Sequence, residues 1–328
     1  MRIFSGLQPT GRKHLGNYIG AIAQYVDAQE RGNPAIFCVV DLHAISVDYD
    51  PKELRDRLYD TTAILLAAGL DPARCVLFRQ SDVHEHTELT WLLSSVCSHG
   101  DLNRMTQFKE KSAKQKDFVS AALFTYPVLQ AADVLAYRAE AVPVGEDQRQ
   151  HIELMREIAR RFNERFGKTL VVPEHRIPEI GARVMDLQDP TRKMSTTVGA
   201  DNGRVLVLDD EKAIRKKFGS AVTDSDMEVR RSPDKPGVTN LIGILSATTG
   251  RGEADIEADF ADSGYGDFKK AVADAVVEYL RPVREAYEEI RGDEAEIERI
   301  LAAGADHARE IASGTLKDVR AAMGVGAP

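Results

Sequence analysis

Residues 35–40, AIFCVV, form an unbroken apolar run, and this constrains the fold more than any other feature of the chain. A strand with one wet face alternates apolar and polar side chains. A strand apolar on both faces must be covered on both, which is the habit of the parallel sheet interior. The neighbouring segments agree. Residues 2–6 are β-prone and end in the turn Gln8-Pro9-Thr10-Gly11, and residues 75–78 (CVLF) give a third short strand. Two helical patterns separate these strands. Ile19, Ile22, Ala23 and Val26 fall at i, i+3, i+4 and i+7. Asp50-Pro51-Lys52-Glu53 reads as a helix start, with a capping aspartate, a first-turn proline and a glutamate placed to reach back three residues. That helix carries Leu54, Leu58, Leu65 and Leu66 and ends near Gly69. Strand, helix, strand, helix, strand implies right-handed crossovers and an α/β fold with a Rossmann-like, doubly wound parallel sheet.

Farther along, residues 85–140 read as mainly helical, a short strand at 141–144 leads into Gly145-Glu146-Asp147-Gln148, and a long helix follows through Arg165. Residues 181–204 show little periodicity and predict a loop, mobile over about 189–200. Beyond about 205 the pattern is helical: Phe268, Val272, Val276 and Leu280 recur every four residues, and Ile297, Ile300, Leu301, Ala308 and Ile311 continue the stripe. The expected organisation is a sheet domain over 1–204, with a helical insertion at about 85–140, and a smaller all-helical C-terminal domain over 205–328.

Composition narrows the function classes. Lys and Arg number 43 against 52 Asp and Glu, a net charge of −9, so indiscriminate coating of nucleic acid is disfavoured. Local basic faces remain open: Arg104, Lys109, Lys111, Lys114 and Lys116; Lys212, Arg215, Lys216 and Lys217; and, over 230–235, Arg230, Arg231 and Lys235. Charge runs of this kind are most often solvated helix faces. No apolar stretch is long enough for a transmembrane helix and the N-terminus lacks a signal-peptide core, so no membrane association and a cytoplasmic location are expected. Cys38, Cys75 and Cys97 form no Cys-x-x-Cys pair and read as reduced thiols, and no histidine spacing matches a zinc pattern.

Two segments carry chemistry. In Gln8-Pro9-Thr10-Gly11-Arg12-Lys13-His14-Leu15-Gly16-Asn17 the first strand ends and a helix begins near Asn17, the place where doubly wound sheets bind ligands. Free amides at that helix start favour phosphate, Gly16 allows close approach, and His14 suits charge that develops during phosphoryl or nucleotidyl transfer. The second segment is Asp189-Pro190-Thr191-Arg192-Lys193-Met194-Ser195-Thr196-Thr197. A lysine beside hydroxyls, on a loop able to close, suits a triphosphate.

Together, His14-Leu15-Gly16-Asn17 and Lys193-Met194-Ser195 resemble the HIGH and KMSKS signatures of class I aminoacyl-tRNA synthetases. Ordered stretches along nearly the whole chain narrow the resemblance to the bacterial tryptophanyl branch. They include Gly16-Asn17-Tyr18-Ile19-Gly20, Asp41-Leu42-His43-Ala44, Arg104-Met105-Thr106-Gln107, Ala131-Ala132-Asp133, Val142-Pro143-Val144-Gly145-Glu146-Asp147-Gln148 and Lys235-Pro236-Gly237-Val238. The resemblance implies a homodimer that uses ATP, with Mg2+ held mainly through the phosphates and no dedicated protein metal site, to join L-tryptophan to tRNA(Trp). By resemblance, His14, Lys193, Ser195 and Lys111 serve the chemistry. Gln8, Pro9, Thr10, Gly16, Asn17, Gly145, Glu146, Asp147, Val184, Lys193, Met194, Ser195, Thr196 and Thr197 form the ATP site. Asp133 accepts the indole N–H, which suits a carboxylate because indole has one donor and no acceptor. Phe4, His43, Gln130, Val142 and Val144 line the indole, while Tyr126 and Gln148 lie near the ammonium and carboxylate. The helical C-terminal half is expected to read the anticodon. Residues 89–96 are open to two uses, dimer interface or core packing. Two departures stand out. Thr196-Thr197 replaces the final Lys-Ser of the second signature, so either a neighbour such as Arg192 substitutes for the lost charge or the pyrophosphate contacts weaken. Gln130 stands where many relatives carry Met.

Overall fold

A computed structural model describes residues 1–108, 118–143, 148–176, 183–196 and 199–326. Five parallel strands form one sheet: β1 (Ile3–Leu7), β2 (Ala35–Val39), β3 (Val76–Arg79), β4 (Ala141–Pro143) and β5 (Glu174–Arg176), in the order β3-β2-β1-β4-β5. Strand β2 is buried at every position, as its unbroken apolar run requires. The strand β5 has no counterpart in the sequence reading. Its Glu-His-Arg composition carries no β signal, and it exists because Glu174, His175 and Arg176 pair with Ala141, Val142 and Pro143.

The chain winds outward from β1 through β2 to β3, then returns to the other side of β1 through β4 and β5. The order therefore reverses at β1/β4, the switch point beyond whose carboxyl ends open α/β sheets bind their ligands.

The first crossover is a helical run of three parts: α1 (Leu15–Asn17), a π-helical turn over Tyr18–Ile22, and α2 (Ala23–Glu30). The extra residue of the π turn rotates the buried face, so Tyr25 is buried, while Ala23 and Val26 of the expected stripe pack half-buried against the same core. After α3 (Asp41–Ala44), α4 (Pro51–Ala67) starts as its sequence predicts: Asp50 caps it by accepting from the Glu53 amide at 2.8 Å. The Glu53 carboxylate lies instead against Arg57 at 3.4 Å. Helices α5 (Glu85–Ser94), α6 (His99–Asn103), α7 (Ala121–Leu135) and α8 (Arg149–Phe166) cover one face of the sheet. Leu89, Leu92, Leu93 and Val96 are buried in that core, so this segment serves core packing, while Trp91 between them is exposed.

Beyond residue 204 come α9 (Glu211–Gly219), α10 (Pro236–Thr249), α11 (Glu253–Asp259), α12 (Tyr265–Gly292) and α13 (Glu294–Met323). The predicted stripe Phe268, Val272, Val276 and Leu280 is wholly buried. Helix α13 returns to the sheet and lies along the edge strand β3. Arg79 from β3 holds Glu298 at 2.8 and 3.1 Å, and Tyr59 donates to the same carboxylate at 2.9 Å. The approach is so close that a Cβ on Gly304 would stand 1.8 Å from the Leu77 carbonyl oxygen. Gly304→Ala should therefore push α13 off β3. It is expected to lower stability by about 3 kcal/mol, read as a drop of several degrees in Tm, whereas the same change at the unobstructed Gly314 should have little effect.

Candidate active site

At the end of β1 the two signature segments, about 180 residues apart, form one seam. The Leu15 amide donates to the Val205 carbonyl at 2.8 Å and the Val207 amide to the Lys13 carbonyl at 2.9 Å. Gly11, at φ +63°, lies so close to the second segment that a Cβ there would stand 2.7 Å from Thr196 Oγ1. A Cβ on Gly16 would meet the His14 ring at 3.0 Å and Val184 at 3.4 Å. Lys13 is buried beneath the turn, and its ammonium donates to the Gln8 carbonyl at 2.6 Å and the Thr10 carbonyl at 3.3 Å. Burial, followed by the charge of Arg57, brings that amine down to about 8.

His14 begins the helix as well as facing the seam. Its Nδ1 accepts from the Asn17 amide at 3.3 Å, while its own amide donates to Asn17 Oδ1 at 3.1 Å. A ring whose Nδ1 is occupied as an acceptor keeps its proton on Nε2. Burial first, then the charges of Lys193, Lys13 and Arg204, lowers the His14 pKa to about 4. His14 is therefore a neutral Nε2–H donor at physiological pH, held in a cationic surround.

The loop that carries Lys193 is tied down at several points. Met194 donates to the Val184 carbonyl at 3.0 Å, and Asp186 Oδ1 accepts from the Gln188 and Asp189 amides at 2.8 and 3.1 Å. Asn240 of α10 grips Met185 through both its amide and its carbonyl, at 2.9 and 3.1 Å. Met194 is buried, so it anchors the loop and leaves Lys193 exposed beside it. Arg192 faces Asp189 at 3.8 Å. Arg204 also reaches this seam: it donates to the Thr196 carbonyl at 2.7 Å and, with Lys193 and Lys13, lies near enough to influence His14. Sequence reading passed over Arg204 because nothing in its own neighbourhood marks it.

A buried polar cluster lies beyond the ends of β2 and β3. Asp133 on α7 is 2 % exposed. Its Oδ2 lies 2.7 Å from His43 Nε2, and its Oδ1 accepts from Gln80 Nε2 at 2.6 Å and faces His86 Nδ1 at 2.6 Å. Burial alone would raise this carboxyl, but His43 and the hydrogen bonds from both histidines outweigh it and hold the group well below the usual carboxylate range. Tyr126 packs edge-on to His43, donates to Gln107 at 3.3 Å and lies 2.8 Å from His151 Nε2. Phe4 stacks on Tyr137, with ring centroids 5.4 Å apart, and Val142 is buried on β4. The cluster is a carboxylate with three side-chain partners, buried deep among apolar residues.

The family model of class I tRNA synthetases (W and Y) matches residues 1–281. The chain belongs to that family. Tryptophan--tRNA ligase from Wolinella succinogenes is 47% identical over 324 residues, 99% of this synthetase and 98% of its relative. The crystal structure of tryptophanyl-tRNA synthetase from Mycoplasma pneumoniae superposes with a TM-score of 0.92 at 36% identity, covering 99% of this chain and 98% of that one. The enzyme from Campylobacter jejuni, solved in complex with ADP and tryptophan, gives 0.84 at 34% identity, with coverage of 99% and 100%.

Of the expected site residues in the synthetase, the structure brings His14, Gly16, Asn17, Val184, Met194, Ser195 and Thr196 into the first seam with Gln8, Pro9 and Thr10 of the adjoining turn. It gathers Asp133, His43, Tyr126, Phe4 and Val142 around the second cluster. Gln130 lies on the same helix, three residues before Asp133, and Gln148 stands at the position before α8. Lys111, Val144, Gly145, Glu146, Asp147 and Thr197, with Lys109, Lys114 and Lys116 of the first basic run, lie outside the described residues. Two of the other basic clusters need correction. Lys217 is buried against Asp209 at 2.6 Å, and Lys235 is buried against Asp224 and Asp226 at 2.9 and 3.1 Å. Arg215 is paired with Asp274, Arg230 with Glu228 and Arg231 with Glu253. Only Lys212 and Lys216 of the 212–217 run stay exposed without a carboxylate partner among the described residues.

Proposed function

We propose that this synthetase activates L-tryptophan with ATP and transfers the tryptophanyl group to tRNA(Trp), giving tryptophanyl-tRNA, AMP and pyrophosphate. The observation that carries this reading is the seam at the end of β1, where a neutral histidine donor, a lysine-bearing loop and a glycine turn come together. The substrate carboxylate attacks the α-phosphorus in line and pyrophosphate leaves. The terminal ribose hydroxyl of tRNA then attacks the carbonyl carbon and AMP leaves. Reactions of this type depend on positioning and charge stabilisation, and no side chain forms a bond to the substrate.

In this reading Gln8, Pro9, Thr10, Gly16, Asn17, Val184 and Met194 to Thr197 shape the ATP site, together with Gly145 to Asp147. His14, Lys193 and Ser195, with Lys111, stabilise charge on the phosphates. Arg204 restores a cation where Thr196-Thr197 departs from the family signature. Asp133 accepts the indole N–H, Phe4, His43, Gln130, Val142 and Val144 line the ring, and Tyr126 and Gln148 hold the amino-acid head. Mg2+ arrives on the ATP phosphates as part of the substrate. Residues 1–204 carry the chemistry and 205–328 read the anticodon, the protein acts as a homodimer, and its place is the cytoplasm. No helix among the described residues is long and apolar enough to cross a membrane.

The deciding measurement is ATP–pyrophosphate exchange with single amino acids, followed by charging of tRNA(Trp). Exchange with tryptophan and not with tyrosine, and stable tryptophanyl-tRNA formation, are expected. Exchange driven by tyrosine alone, or tryptophan binding with no charging, would overturn the proposal.

A further inference from the structure

The Asp133 cluster extends beyond the residues that meet a substrate. His86 Nε2 lies 2.5 Å from the Tyr137 hydroxyl, and Gln80 Oε1 accepts from the Leu42 amide at 3.0 Å. His86, Gln80 and Tyr137 are each fully buried. We propose that His86, oriented by Tyr137, and Gln80, oriented by the Leu42 amide, are positioning residues. They occupy Oδ1 of Asp133 and present its Oδ2 to the indole N–H. This inference rests on the reading above that Asp133 meets the indole.

The bonding pattern assigns each proton. Gln80 Oε1 is an acceptor, so its Nε2 is the donor to Oδ1. The phenol of Tyr137, which burial pushes far above its ordinary value, keeps its proton and donates to His86 Nε2. His86 then carries its own proton on Nδ1 and donates it to Oδ1. A carboxylate offers about four acceptor positions. Two on Oδ1 go to Gln80 and His86, and one on Oδ2 goes to His43. Among the described residues no further partner of Oδ2 is seen beside His43. The chain therefore commits Oδ1 to its own donors and leaves one acceptor position on Oδ2.

The neighbourhood makes a purely structural reading costly. Phe78, Ala131, Ala132, Val134 and Leu135 surround these groups. Apolar residues of similar volume fill such a core without the desolvation cost of four linked polar side chains.

Tyr137→Phe is the cleanest probe, because it removes one hydroxyl and retains the ring stacked on Phe4. Without that donor, His86 can move its proton to Nε2 and turn a lone pair toward Asp133. The measurement is exchange kinetics with tryptophan and with 3-(benzothiophen-3-yl)alanine, in which sulfur replaces the indole N–H. Tyr137→Phe is expected to raise KM for tryptophan roughly 3- to 10-fold, with kcat within about twofold and the analogue's KM unchanged. His86→Leu should raise it about 10- to 100-fold, and His86→Asn, whose amide can still donate to Oδ1, should recover most of that loss. Equal losses for both amino acids, or no rescue by asparagine, would overturn the inference. Asp133→Asn in the same assay separates the two levels. If the preference for tryptophan over the analogue survives that change, the indole reading itself fails. If it collapses there but persists in the Tyr137 and His86 variants, only the positioning role fails.

Discussion

Asp133→Asn is expected to lower kcat/KM for tryptophan by about 10²–10³-fold in ATP–pyrophosphate exchange, most of it in KM. The size follows from what the carboxylate does. Oδ1 receives two donors and Oδ2 receives His43, all within 2.7 Å. An asparagine in this place must turn its NH2 toward at least one of those donors. Each orientation is unfavourable: with NH2 on the Oδ1 side it opposes Gln80 and His86, and on the Oδ2 side it opposes His43 and the indole N–H. Losing a charged acceptor and leaving a buried donor unpaired costs about 3–4 kcal/mol, the equivalent of the stated factor. Part of that cost falls on the fold, so Tm should drop as well. The two effects separate because lost stability leaves kcat/KM per folded molecule unchanged, while lost recognition does not. Unchanged KM for tryptophan in a folded variant would remove Asp133 from the indole role.

The same cluster shows where sequence reading reaches and where it stops. The sheet was legible because β2 must be buried on both faces and because Asp50-Pro51 marks a helix start. The strand β5 was not, since its pairing with β4 supplies the order that its own composition lacks. Among site residues, His14 was readable from its place after β1. Its neutrality was not, because Lys193 and Arg204 approach it only through the seam closed by the Leu15–Val205 and Val207–Lys13 hydrogen bonds. Asp133 was readable as an acid within an apolar stretch, and what surrounds it was not. Gln80, His86 and Tyr137 come from three elements, and each looks ordinary in its own neighbourhood. The signal available in retrospect for Gln80 is position: a polar residue directly after a buried parallel strand stands where such sheets place ligand groups. Lys217 and Lys235 err the other way. They looked like part of a basic surface, but tertiary packing places each against an aspartate in the interior.

His14 gives a prediction with a pH signature. His14→Ala should lower the adenylation kcat by about 10²–10³-fold, the range found when one preorganised donor to developing charge is removed. Lys193→Ala should act in the same direction, but through a charge that His14 also senses. The protonation state follows from the sign of the shift. The His14 pKa falls from 6.5 to about 4 in the folded chain, so the unfolded chain binds the extra proton first as pH drops. The stability tied to the neutral ring is fully present above about 6.5 and is lost progressively down to about 4, up to about 3 kcal/mol in all. Denaturant melts of wild type and His14→Ala at pH 7.5 and pH 5 check this. At pH 7.5 the variant loses about 1 kcal/mol for its missing cap. At pH 5 the gap should narrow or reverse, because alanine has no proton to take up. Activity follows the same logic. With its proton already on Nε2 at neutral pH, His14 donates without titrating, so exchange should show no loss attributable to His14 between pH 8 and about 5. An acid limb near 6.5 that disappears in the variant would mean that the ring works as an imidazolium, and the neutral-donor reading would fall.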